Sequence, residues 1–142
     1  MRRLLIIMLV AAGLGLGAAV VWQQDHRTLS AEVEGQIKAG IERAALIGFR
    51  ATAAVRCGHR DMRWFDLVGT AAVNEFDGVA AQAGGQSVRV YERLKGAMTA
   101  SWQIAEEVFP LPNRDEARCA AFVTADELAR LDALAERTSG SR

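Results

Sequence analysis

Leu4 to Trp22 is a run of 19 residues without a charge, LLIIMLVAAGLGLGAAVVW, directly behind Arg2 and Arg3. As a helix it is about 28 Å long, close to the hydrocarbon core of a bilayer. The paired arginines favour the cytoplasmic side, and Trp22 falls where aromatic residues sit at the opposite interface. Residues 1–22 are therefore expected to be an uncleaved inner-membrane anchor, single-pass, with the rest of the chain in the periplasm. The rival reading is a signal peptide cut near Ala19, after the small residues Gly17, Ala18 and Ala19, which gives a soluble periplasmic product. The apolar run continues through Val20, Val21 and Trp22, and this favours the anchor. Both readings export the same domain. Gly13 and Gly17 form a GxxxG spacing that would allow two anchors to pack as a homodimer.

Export decides how the cysteines are read. Cys57 and Cys119 are the only two, and both lie beyond the anchor. An even pair in an oxidising compartment is read first as a disulfide. The pair lacks the close spacing of a zinc site, and no CxxCH is present for haem attachment.

The remainder reads as all-α: a polar joint over 23–30, an antiparallel bundle of four to five helices over 31–137, and a frayed tail over 138–142. Alanine outnumbers the β-branched residues, and Pro110 and Pro112 are the only prolines. Ser30 is placed to cap a first helix whose apolar residues recur from Val33 through Ile37, Ile41, Ala44, Ile47 and Ala51 to Val55. Between Ala44 and Val55 that helix is apolar almost all round, so its second half is expected to enter the core. Gly58 is placed to close it in a left-handed conformation. Asp61 is expected to cap a second helix that ends at Gly84 and Gly85. The third starts at Ser87, carries the stripe Tyr91, Leu94, Met98, Trp102, Ala105 and Phe109, and stops at the prolines. Asn113 with Glu116, and Thr124 with Glu127, resemble capping boxes for a short helix over 114–122 and a last one over 125–137. In the last helix, Leu128, Leu131 and Leu134 form the expected inner face.

The densest cluster of reactive side chains is RCGHRDMRWFD, from Arg56 to Asp66. Cys57, His59, Asp61 and Met62 would suit a soft metal if they converged. Positions 57 and 59 point to different sides of a helix, and a disulfide removes the thiolate, so no metal ligand set is expected. A stapled corner between two helices is the stronger reading. Nucleophilic catalysis through Cys57 meets the same objection. Glu106–Glu107 and Asp126–Glu127 are neighbours that diverge on a helix, and Glu75 is read as an edge residue of its stripe. An enzyme is thus the weakest of three functional readings, with no catalytic residue assigned.

Charge gives a further feature. Arg56, His59, Arg60 and Arg63 flank one cysteine, and Arg114 and Arg118 the other, so a disulfide gathers them at one tip. Nearby Asp61, Asp66, Asp115 and Glu116 would neutralise that tip; otherwise it would dock an acidic partner or an anion. Beyond the anchor the chain holds 15 basic and 17 acidic residues, which excludes a nucleic-acid surface. The leading expectation is a membrane-tethered helical module of the bacterial envelope that binds another envelope protein or its own copy. The alternative is a small-ligand or metal sensor with an interior pocket between Trp64, Phe76, Tyr91 and Trp102. No cofactor is expected. The layout of one anchor and an exported helical domain resembles periplasmic sensor, metal-resistance and envelope-assembly proteins alike, and selects none of them.

Overall fold

The computed structural model describes residues 28–111 and 115–140. The anchor, most of the joint, Asn113, Arg114 and the last two residues lie outside the described residues. By contacts the chain divides into two units, Met1–Ser30 and Ala31–Arg142; the fold below is that of the second. Among the described residues no strand is present, and no helix is long and apolar enough to cross a membrane.

The second unit is a helical bundle: α1 (Ala31–Arg56), α2 (Met62–Ala80), a 3-10 segment (Ala81–Gln86), α3 (Ser87–Val108), α4 (Glu116–Phe122) and α5 (Ala125–Ser139). α1 is the central element and packs along both α2 and α3, while α5 lies chiefly on α2. Its sequence explains this position. Its first half buries only Ile37 among its first ten residues, whereas Ala51, Thr52, Ala53 and Ala54 are buried consecutively. A helix buried on every side must have neighbours on every side, and alanine allows those neighbours to come close. α1 and α3 run in the same direction: Glu34 pairs with Arg93, Gly48 faces Ser101, and Arg56 reaches Glu106 and Phe109.

The helix ends follow local chemistry. Gly58 adopts φ 80°, and the N–H groups of Gly58 and His59 donate to the carbonyls of Val55 and Ala54, closing α1. Asp61 accepts from the Trp64 N–H at 2.8 Å to start α2. Thr124 accepts from the Glu127 N–H at 3.3 Å to start α5. α4 is capped by Asp115, whose carboxylate accepts from the Arg118 N–H at 3.0 Å; the expected capping residue Asn113 lies outside the described residues. Between α2 and α3 the chain turns on Gly84 at φ 55°.

Two expectations are corrected. α5 runs past 137 to Ser139, with Thr138 only 7% exposed, so residues 138 and 139 belong to the helix and not to a tail. The buried stripe of α3 is Val90, Leu94, Ser101, Ala105 and Phe109; Tyr91 and Trp102 are 37% and 49% exposed. Close approach to Gly48 turns small Ser101 inward and leaves the larger Trp102 at the margin. A Cβ built on Gly48 would lie 3.1 Å from Ser101 Oγ.

Two apolar clusters stand out in the core among the described residues. One, at the cysteine end, gathers Ala53, Ala54, Cys57, Ala105, Phe109, Cys119 and Val123. The other gathers Ala51, Val68, Ala71, Leu131, Leu134 and Ala135, and Trp64 packs against both.

Candidate functional site

The stretch from Arg56 to Asp66 forms the corner between α1 and α2. Cys57 is bonded to Cys119 across a separation of 62 residues, with the Cα atoms 5.7 Å apart. The bond ties the end of α1 to α4, and both sulfur-bearing residues are buried. Three hydrogen bonds then lock the corner to the last helix. Arg60 Nε donates to Asp132 Oδ1 at 2.9 Å, and its Nη2 donates to Oδ2. The Trp64 indole N–H donates to the same Oδ1 at 2.8 Å, and the Arg60 guanidinium lies 5.7 Å from the Trp64 ring centroid. Fork-shaped pairing of this kind is directional as well as attractive.

This latch sets a pH dependence. The hydrogen bond from Arg60 holds the Asp132 carboxyl below the usual aspartate range, and the Trp64 N–H adds to it; partial burial opposes both. A carboxyl whose pKa is lower folded than unfolded stabilises the fold above its unfolded pKa, about 3.9, and loses that contribution as pH falls through the folded value. Asp132→Asn should therefore cost about 1–2 kcal/mol at pH 7, allowing for solvent screening of a partly exposed pair. The difference from the parent should stay constant above about pH 5 and shrink below about pH 4 in urea titrations.

The basic tip is largely self-neutralised. Arg56 Nη1 lies 3.0 Å from Glu106 Oε1, and its Nε donates to the Phe109 carbonyl. Arg60 is held by Asp132, as above. Arg118 donates to the Val108 carbonyl at 2.8 Å and sits 3.6 Å from Asp115. His59 and Arg63 are exposed, and among the described residues no carboxylate bonds to either side chain. Arg114 lies outside the described residues. The paired arginines of the cluster thus work as a set of latches. Met62 is exposed, and among the described residues no group of three or more His, Cys, Asp or Glu is placed to hold a metal ion.

The four aromatics expected around an interior pocket are not gathered. Trp64 is occupied by the latch. Phe76 is buried, edge-on to Tyr91 with ring centroids 5.9 Å apart, and Tyr91 donates from its hydroxyl to Asp77 at the surface. That bond raises the Tyr91 pKa. Trp102 is half-exposed.

Two surfaces missed by the sequence reading stand out instead. The first is an aromatic face along the α1–α3 seam. Phe49, Phe109 and Phe122 form a triangle with centroid separations of 6.0, 6.2 and 5.8 Å. Phe122 is 48% exposed, and Leu46, one turn before Phe49, and Trp102, two turns before Phe109, are each 49% exposed. Phe122 followed by a helix stop was the only sequence signal for it. The second surface is an open groove of about 340 Å³ between α1 and α2, floored by Gly40, Ala44, Ala72 and Phe76, with Arg43 and Glu75 on its rim. Glu75, expected as an edge residue of its helix's stripe, lies between Arg43 at 3.6 Å and Arg137 at 3.3 Å.

Comparison with known proteins supplies no assignment. No family model, curated protein or solved structure matches the chain. The functional reading therefore rests on the geometry and on the sequence.

Proposed function

We propose that the protein is a membrane-tethered module of the bacterial envelope that acts by binding another protein. Residues 1–22 anchor it in the inner membrane and the helical bundle faces the periplasm; cleavage near Ala19 would release the same bundle. The observation that carries the binding reading is the aromatic face of Leu46, Phe49, Trp102 and Phe122. Leu46, Trp102 and Phe122, large apolar side chains left about half exposed on the helices that build the phenylalanine triangle, are more typical of a contact surface than of a solvated helix bundle. The disulfide ties the end of α1 to α4, two of the helices that carry that face, which lowers the ordering cost of binding. Two anchors meeting through Gly13 and Gly17 would bring two such faces together, and self-association is the second form of the same reading.

Photo-crosslinking from position 102 in intact cells tests it. A discrete protein adduct is expected from the full-length chain. It should be lost on Leu46→Ser with Phe122→Ser, in a double variant whose helical circular dichroism matches the parent. Leu46→Ser alone should change stability by less than about 1 kcal/mol, since the residue is half in water. Absence of any adduct, or cytosolic activity of a reporter fused at Arg142, would overturn the proposal.

A further inference from the structure

α2 returns antiparallel to α1, so the turn from Ala81 to Gln86 and the start of α3 lie at the end of the bundle where α1 begins. The Glu34–Arg93 pair, 2.7 Å apart, fixes the level. Val88 stands about 7.5 Å before Arg93 along α3, close to the level of Ala31. Between Gly78 and Tyr91 the chain has no acidic residue, and Arg89 is its one charge. Ala83 and Val90 are buried and hold this turn from inside, and Gly84 at φ 55° sets its bend. Val88 is 69% exposed, the highest value of any large apolar side chain among the described residues. Gly84, Gly85 and Arg89 are exposed beside it, and among the described residues no carboxylate pairs with Arg89.

We propose that this end of the bundle rests on the bilayer, with Val88 seated among the lipid headgroups and Arg89 on a lipid phosphate. The inference rests on the anchor reading above. The length of chain before α1 names the lipid surface as the occupant. Residues 23–30 span about 28 Å at full extension and about 12 Å as a helix. The start of α1 is thus held within that reach of the interface, while the disulfide corner lies about 39 Å away along the 26 residues of α1. Charge selects the kind of surface. Glu34 is neutralised by Arg93, and Arg89 is balanced by exposed Glu32, so the contact needs no anionic lipid and is carried by apolar insertion. One valine would hold a free domain to a bilayer only weakly. A short tether keeps the turn at an effective concentration of about millimolar, at which a weak contact suffices. Phe49, Phe109 and Phe122 lie toward the other end of α1 and are thereby presented away from the lipid.

The test uses the full-length chain in vesicles of zwitterionic phosphatidylcholine with acyl chains brominated close to the headgroup. A dansyl-bearing amino acid replaces exposed Gln82 in the turn or, separately, exposed Met62 at the disulfide corner. Bromine should quench the reporter at 82 at least about twofold more than the reporter at 62. Val88→Asp should lower quenching at 82 to the level at 62 without moving the melting temperature, because Val88 makes little contact within the bundle. Flotation of the chain with the vesicles is scored in parallel. A chain that floats, with 82 and 62 quenched alike or with quenching at 82 unmoved by Val88→Asp, overturns this inference and leaves the anchor standing. Quenching at 82 that appears only when anionic lipid is added overturns the apolar seat. A chain that does not float overturns the anchor reading and this inference with it.

Discussion

Replacing both cysteines with alanine is expected to remove about 4 kcal/mol of stability, the largest loss from any substitution of one bonded pair in this chain. The loop closed by Cys57 and Cys119 spans 62 residues, and the chain-entropy model scales the effect with the logarithm of that length. The setting makes the bond matter more. Ala53, Ala54 and Ala105 dominate the cluster around it, and each alanine buries little apolar area, so the core at this end supplies modest hydrophobic stabilisation. A domain near 110 residues has a total of about 5–15 kcal/mol. The melting temperature should fall by roughly 15–25 °C. Reduction of the unaltered protein should give a similar shift, since alanine introduces no polar group where the sulfurs were. Hydrogen exchange should localise the early loss to residues 115–123. Without the bond that segment is held by Phe122 on Phe49 and Phe109, by the Arg118 contacts and by its cap. A loss below about 1 kcal/mol would mean that those contacts fix α4 unaided.

Phe76→Ala is expected to cost about 3–5 kcal/mol, visible as a lower urea midpoint with an unchanged slope. Phe76 is 2% exposed. Its ring packs against Gly40, where a built Cβ would come within 2.9 Å, and Tyr91 meets it edge-on. Glycine has no side chain with which to fill the space left behind, so the cavity cannot collapse locally. The reverse change carries the opposite information. Gly40→Ala in the parent pushes the ring from its place and should cost about 1–3 kcal/mol by overpacking. In the Phe76→Ala background it should cost nothing or stabilise, because the new methyl enters the vacated volume. Additive effects in that double-mutant cycle would show that the two positions do not share one cavity.

The element boundaries were legible because they depend on short-range chemistry. Gly58, Asp61 and Thr124 act within one turn of their own positions, and a residue type at the right offset is sufficient to identify them. The disulfide was legible for a different reason: only two cysteines exist, so their pairing needed no geometry beyond an oxidising environment. The stripe of α3 was misread at Tyr91 and Trp102. Apolar periodicity defines a face about 100° wide, and which edge of it turns inward depends on the neighbour. Gly48 admitted Ser101, and Trp102 was left outside.

The candidate surfaces were less legible still. Asp132 has no sequence mark as the partner of Arg60, from which it is 72 residues distant. The aromatic face assembles Leu46, Phe49, Trp102 and Phe122 from three helices, and the groove joins Gly40 to Phe76. Sequence alone specified what each segment is: where helices start and stop, which half of α1 must be surrounded, and that two sulfurs bond. Tertiary structure alone decided which sides of those helices meet, and so which apolar residues remain uncovered. Propensities and caps act over a few residues, whereas coverage depends on helix lengths and on how closely small residues let neighbouring axes approach. In this chain α4, only seven residues long, leaves Phe122 half-exposed beside Phe49 and Phe109.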